Sequence, residues 1–168
     1  MIALGIDPGT ATTGYGIVKE RSDGMLLMIC YGVIRTDAKT PYQIRLKEVH
    51  EGVSTLIDQY KPEAIAIEKL FFNKNVATAL SVAQARGVVI LTAGLAELDF
   101  AEYTPIQVKE SVACYGRADK QQVQQMVKVL LGLEEIPKPD DAADALALAI
   151  CHLHSYKMRR FGLPQTIS

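Results

Sequence analysis

The chain has 168 residues, 49% hydrophobic and 22% charged, with 18 Lys and Arg against 19 Asp and Glu for a formal net charge of −1. That length and balance fit one folded domain with a single core and argue against a disordered chain. The apolar run from Gly87 to Ala96 is too short to span a bilayer and the start, Met1 to Asp7, lacks the basic region of a secretory signal, so a cytoplasmic protein with no membrane partner is expected.

Residues 2–7 read as a short, almost wholly apolar strand of the kind covered on both faces. Pro8-Gly9-Thr10 turns the chain, and Gly14-Tyr15-Gly16-Ile17-Val18 returns as the second arm of a hairpin. Asp23-Gly24 marks a further turn before a third strand over 25–35. Ile44, Leu46, Val49, Val53, Leu56 and Ile57 recur at helical spacing between about 41 and 60, and Lys61-Pro62 ends that helix. A fourth strand, 64–68, is apolar up to Glu68. Residues 75–95 predict a largely buried helix and 99–103 a fifth strand. Helices start at Thr104-Pro105 and around Ala118-Asp119. In the latter, Val123, Val127, Leu130 and Leu131 form the apolar stripe and Lys120, Gln124 and Lys128 a polar one. A last helix opens near Asp140 and runs to about His154, which divides the chain into one domain over 1–156 and a basic tail over 157–168. Cys30, Cys114 and Cys151 are odd in number and far apart, the pattern of reduced core thiols.

Three hairpin-connected strands followed by alternating helices and strands predict an α/β fold with a mixed five-stranded sheet flanked by helices. This is the element order of the ribonuclease H-like fold. The actin-like ATPase half-domain shares its beginning, so order alone leaves function open.

Acidic residues close the core elements: Asp7 ends the first strand, Glu68 the fourth, and Asp140, Asp141 and Asp144 open the last helix. A carboxylate at the tip of an apolar strand stands at the sheet's carboxyl edge, where open α/β sheets place their ligands. If strands one and four are neighbours, Asp7 and Glu68 meet there. On the last helix Asp141 and Asp144 share a face, and so do Asp140 and Asp144. Turn and cap roles account for many acidic residues, and Asp7 before Pro8-Gly9 or Asp140 as an N-cap would fit them. Glu68 does not, because Glu is depleted in strands and Ala-Ile-Ala-Ile offers nothing to cap. Carboxylates gathered at one point repel unless a hard cation neutralises them. An all-oxygen set suits Mg²⁺ or Mn²⁺, and a pair of such ions is a device for hydrolysing phosphodiesters.

The same residues carry a resemblance. Gly5-Ile6-Asp7-Pro8-Gly9 with Thr13-Gly14-Tyr15-Gly16, Ile67-Glu68-Lys69-Leu70-Phe71 with Lys74-Asn75, Gln84-Ala85-Arg86-Gly87-Val88, and Asp141-Ala142-Ala143-Asp144-Ala145-Leu146-Ala147 follow one another at compatible spacings. In these motifs the chain resembles the RuvC family of Holliday-junction resolvases along nearly its whole length. The resemblance implies a metal-binding catalytic tetrad of Asp7, Glu68, Asp141 and Asp144, and it selects Asp141 over Asp140 where helical geometry leaves both open. It implies Mg²⁺, with Mn²⁺ able to substitute, at two ions per site. It also implies a homodimer that nicks opposed strands of a four-way junction in recombination and repair, leaving 5′-phosphate and 3′-hydroxyl ends, beside the RuvA and RuvB branch-migration motor.

Phosphate binding requires cations. The resemblance carries over Lys109 and Lys120 as basic residues near the scissile phosphate. Lys74, Lys69, Arg117, Lys128 and the tail residues Lys157, Arg159 and Arg160 are further cations, for which a solvated surface charge is the ordinary role. Phe71 matches the family's base-contacting aromatic, able to stack on an unpaired base at the crossover, with Phe72 packed inward. His50, His152 and His154 are expected to be structural. The rivals are an actin- or sugar-kinase-like ATPase, suggested by Asp7-Pro8-Gly9-Thr10 but needing a second lobe, and another ribonuclease H-like nuclease acting on structured RNA.

Overall fold

The computed structural model describes residues 1–70 and 76–160. Its elements in chain order are β1 (Ile2–Asp7), β2 (Thr12–Glu20), β3 (Leu26–Arg35), α1 (Tyr42–Tyr60), β4 (Ala64–Glu68), α2 (Val76–Leu95), β5 (Asp99–Tyr103), α3 (Pro105–Ala113), α4 (Lys120–Leu130) and α5 (Asp140–Arg160). The five strands form one mixed sheet in the order β3-β2-β1-β4-β5, antiparallel from β1 to β3 and parallel from β1 to β5. This is the α/β architecture expected from the element order.

The two-residue strand period sorts side chains by size. Leu4, Ile6, Ile17, Ile65 and Ile67 point to one face and pack with Val49, Val53, Leu56 and Ile57 of α1 and Val89 and Ala93 of α2. The opposite face carries Ala3, Gly5, Gly14, Gly16, Val18 and Ala66, beneath α5. That face is nearly flat because its residues are small. A methyl group on Gly5 would collide with the Ala145 carbonyl and approach the Ala149 nitrogen to 2.7 Å, and one on Gly16 would meet the Leu146 nitrogen at 2.7 Å. The Ala-rich face of α5 therefore lies directly on β1 and β2, while α3 and α4 complete the layer through Val112, Val123 and Val127. Paired side-chain and backbone caps start α3 at Thr104 (with Gln107) and α4 at Asp119 (with Gln122), as the sequence signals indicate.

Three expectations are corrected. Helix α5 does not end near His154 but continues through residue 160, because no breaker precedes Gly162 and Tyr156 stacks on His152 one turn earlier. The 156/157 boundary thus falls inside a helix, where Lys157 pairs with Glu20 at 3.3 Å. Gln124 is buried rather than part of a solvated stripe, since its amide donates to Asp140 Oδ1 at 3.2 Å. Of the cysteines, all free, Cys151 is buried and Cys30 partly so, but Cys114 is exposed at the end of α3, where its φ of 55° turns the chain out. The histidines do hold structure: His50 Nδ1 bonds Thr92 Oγ1 at 2.8 Å, His152 Nδ1 bonds the Tyr103 hydroxyl at 2.9 Å, and His154 Nδ1 reaches the Ser111 carbonyl at 3.0 Å. Among the described residues no helix is long and apolar enough to cross a membrane.

Candidate metal centre

Register places the first two carboxylates side by side. Ile6 pairs with Ile67 in the parallel β1–β4 ladder, so Asp7 and Glu68 leave adjacent strand ends at the same level. Both lie on the small-residue face by the alternation Ala3-Gly5-Asp7 and Ala64-Ala66-Glu68, the face that α5 covers. The α5 carboxylates come down onto them through Gly14, which pairs with Asp7 across β1–β2. A methyl on Gly14 would strike the Asp141 backbone and come within 2.9 Å of its Cβ. The four segments holding Asp7, Glu68, Asp141 and Asp144 are thus gathered at one sheet edge.

Electrostatics records the gathering. Burial pushes the Asp7 carboxyl from 3.8 up to about 7, and the charges of Asp144, Asp141 and Glu68 push the same way while Lys120 opposes them. Burial and then Asp144 raise Glu68, with Lys109 opposing. Burial also raises Asp144, against the hydrogen bond and charge of Lys120. Lys120 Nζ donates to Asp144 Oδ2 at 3.0 Å and stands 3.2 Å from Asp140 Oδ2. Asp140 is therefore turned toward Lys120 and Gln124, and the hydrogen bonds from those two residues hold its carboxyl below the usual range. Among the described residues no three Asp, Glu, His or Cys side chains are closed into a coordination shell. The donor set facing Asp7 is nonetheless all carboxylate, the chemistry of a hard divalent cation, and each added positive charge there relieves both burial and mutual repulsion.

Glu68, Lys109, Lys120 and Asp144 line one cavity of about 220 Å³ whose walls are Pro105, Val108, Val123, Ala147 and Leu148. The two lysines assigned to phosphate contact by resemblance are therefore beside the carboxylates. Lys69 and Arg117 are exposed. Phe71 and Lys74 lie outside the described residues. Sequence reasoning missed Gln124, whose burial follows from its bond to Asp140, and the hydroxyls of Thr10 and Ser81 that meet at the loop following Asp7. Only the threonines at 10, 12 and 13, in and after the turn that follows Asp7, hinted at the latter.

A pH dependence follows from Asp7. A carboxyl raised in the folded state binds a proton that the unfolded chain has already released, so stability present below pH 4 is lost as pH rises through about 7. A shift from 3.8 to about 7 corresponds to about 4 kcal/mol, an upper figure for a partly solvated site. Urea unfolding in EDTA should show stability falling between pH 5 and 7.5, with a shallower slope in Asp7→Asn. Identical slopes in the two proteins would remove Asp7 as the source.

Three comparisons with known proteins bear on this edge. The family model described as crossover junction endodeoxyribonuclease RuvC matches residues 3–152. A crossover junction endodeoxyribonuclease RuvC of Syntrophomonas wolfei is 52% identical over 161 residues, covering 96% of this chain and 93% of the relative. The Thermus thermophilus RuvC structure superposes with a TM-score of 0.88 at 35% identity, covering 95% of this chain and 97% of that one. T. thermophilus RuvC in complex with Holliday junction substrate gives 0.86 at 33% identity, covering 94% and 96%.

Proposed function

The chain belongs to the RuvC family of crossover junction endodeoxyribonucleases, and from that membership we propose that it resolves four-way DNA junctions with Asp7, Glu68, Asp141 and Asp144 as the ligands of two divalent ions, Mg²⁺ or in its place Mn²⁺. What carries this reading is the geometry of the sheet edge: the β1–β4 register sets Asp7 beside Glu68, Gly14 seats the Asp141 backbone against the same edge, and the partly buried Asp7 carboxyl is raised to about 7 by desolvation and by the charges of Asp144, Asp141 and Glu68. Held by Asp7, Glu68, Asp141 and Asp144, such ions would supply Lewis-acid activation of water and neutralise charge on the leaving 3′-oxygen, the chemistry that yields 5′-phosphate and 3′-hydroxyl ends. The protein's own part is to hold four oxygen donors on a rigid edge and to bring cations to the scissile phosphate. That work is assigned to Lys120, which spans Asp140 and Asp144, and to Lys109, whose charge acts on Glu68. Phe71 is assigned to a base at the crossover and Lys74 to the backbone near it. The reading includes the cytoplasm as compartment and the RuvA and RuvB motor as neighbours in recombination and repair.

The test compares a synthetic four-way junction, a linear duplex and an RNA–DNA hybrid in Mg²⁺, Mn²⁺ or EDTA. Paired, ligatable nicks in the junction alone, lost in EDTA and reduced in Phe71→Ala, are the expected result. Equal cutting of hybrid and junction would point to a different nuclease.

A homodimer belongs to the same reading, because a two-fold junction cut on opposed strands calls for an isologous pair of sites. Helix α2 exposes Leu80, Gln84, Gly87, Leu91 and Gly94 at alternating intervals of four and three, the spacing of a helix–helix seam, with Leu95 beside them. Leu80, Leu91 and Leu95 are 57%, 60% and 68% exposed, and a methyl on either glycine would meet nothing within 4 Å. We assign this stripe to a second copy of the chain. Leu91→Glu should sediment as a monomer with unchanged circular dichroism and lose the pairing of nicks. A Leu91→Glu protein that stays dimeric would move the interface elsewhere.

A further inference from the structure

Next to Asp7 in the chain, the segment Pro8-Gly9-Thr10-Ala11 is held from two sides by partly buried polar groups. On one side the Thr10 hydroxyl lies 2.6 Å from the Ser81 hydroxyl of α2 and donates to the Ser81 carbonyl oxygen at 3.0 Å. On the other, the Thr10 carbonyl oxygen accepts from the Thr36 hydroxyl at 2.6 Å, and Thr36 Oγ1 accepts from Arg45 Nε of α1 at 2.8 Å. The Thr36 amide donates to the Ala11 carbonyl at 3.2 Å, and the Thr13 hydroxyl to the Gly9 carbonyl at 2.7 Å. Thr10 is 5% exposed and Thr13 fully buried, so water is a poor substitute for these partners.

The proton inventory makes the Thr10–Ser81 contact reciprocal. With the one Thr10 hydroxyl proton on the Ser81 carbonyl, the Ser81 hydroxyl is the donor to Thr10 Oγ1, and the Tyr42 hydroxyl stands 3.5 Å from the same oxygen. Two hydrogen bonds between the same two residues fix the loop against α2 in distance and in rotation. The first residue beyond this loop toward the amino terminus is Asp7.

We propose that Thr10 and Ser81 form a positioning pair that sets the angle at which Asp7 meets the divalent ions, making α2 the element that holds the first carboxylate ready. The pair touches neither substrate nor ion; it acts through the backbone of residues 8–10. This rests on Asp7 being a metal ligand. Groups that orient a ligand from behind change metal affinity or turnover by roughly 10- to 100-fold when removed.

Thr10→Val keeps the shape and deletes the hydroxyl. It is expected to raise the Mg²⁺ concentration for half-maximal junction cleavage by about tenfold and to lower kcat by a similar factor, with junction affinity in EDTA within about twofold of the parent. Ser81→Ala should reproduce the effect, the double variant should be no worse than the more severe single one, and Thr10→Ser should recover near-parental Mg²⁺ dependence. A Thr10→Val or Ser81→Ala protein that melts earlier but keeps the parental half-saturation and kcat would make the pair merely structural and overturn the proposal. A Thr10→Ser protein as impaired as Thr10→Val would overturn it equally. Asp7→Asn run alongside separates the two levels. Cleavage retained in Asp7→Asn overturns the metal-site assignment itself, whereas cleavage lost there but intact in Thr10→Val overturns the positioning pair alone.

Discussion

Asp7→Asn is expected to lower the rate of junction cleavage by about a thousandfold or more, on the scale of the several kcal/mol that a correctly held metal ion contributes, and at the same time to raise the melting temperature of the metal-free protein at neutral pH. The two effects have one cause. The carboxyl ends a buried strand and faces Asp144, Asp141 and Glu68, so the folded chain disfavours its charge and drives it up to about 7. Asn has the same shape, keeps an acceptor oxygen and carries no charge, so the repulsion disappears while the packing stays. What disappears with it is the anionic oxygen that a hard cation requires. Junction binding, which the proposed reading assigns to Lys109, Lys120 and other cations rather than to this carboxylate, should remain within a few-fold when measured in EDTA. Activity and stability moving in opposite directions distinguishes a site that stores electrostatic strain from a cap or turn residue, whose removal lowers both. An Asp7→Asn protein that is inactive and also less stable at pH 7.5 would leave the structural role of Asp7 as the simpler account.

The parts of this arrangement that could be read from the residues are those set by short-range rules. The strand ending in Asp7 and the strand Ala64–Glu68 are apolar runs bounded by turns, and the two capping boxes at Thr104 and Asp119 sit where their signals stand. Glu68 stood out because nothing local called for an acid there. Whether Asp7 and Glu68 would meet depended on β1 and β4 being neighbours, a property of the sheet that their own residues do not carry. The ambiguity between Asp140 and Asp141 had the same origin. Both open one helix, and only the approach of α4, whose Lys120 and Gln124 engage Asp140, separates their surroundings. Gln124 looked like a solvated residue for want of that partner. The Thr10–Ser81 contact spans 71 residues and joins a loop hydroxyl to a helix hydroxyl, neither of which signals the other in the sequence. Helix α5 ran past its expected end because no breaker stands before Gly162, while the Tyr156–His152 stack within the helix and the Lys157–Glu20 pair across to β2 support the added turns.

Gly14→Ala and Gly5→Ala should each destabilise the fold by about 3 kcal/mol, and Gly14→Ala should also impair cleavage beyond what its lost stability explains. Neither glycine is needed for an unusual backbone angle; each is needed because α5 lies against the sheet with no room for a methyl group. At Gly5 the added carbon would meet the Ala145 carbonyl and the Ala149 nitrogen, both backbone, on a central strand bonded on either side to β2 and β4. Relief requires lifting the helix, which opens the contacts of Leu146, Ile150 and Leu153 with the rest of that layer. A loss of that size in a domain of 168 residues lowers the melting temperature by roughly 10 °C, readily seen by calorimetry. At Gly14 the obstacle is the backbone of Asp141 itself, on the register line shared with Asp7. The helix end that carries two of the four carboxylates must move away from the other two, and a displacement of about 1 Å at a catalytic group is enough to lose roughly a hundredfold in rate. Gly5→Ala, whose clash lies further along α5, should retain more activity than Gly14→Ala when both are compared at a temperature where each is fully folded. Equal activity in the two proteins under those conditions would mean that the seating of α5 on Gly14 supports the fold without setting the spacing of the carboxylates.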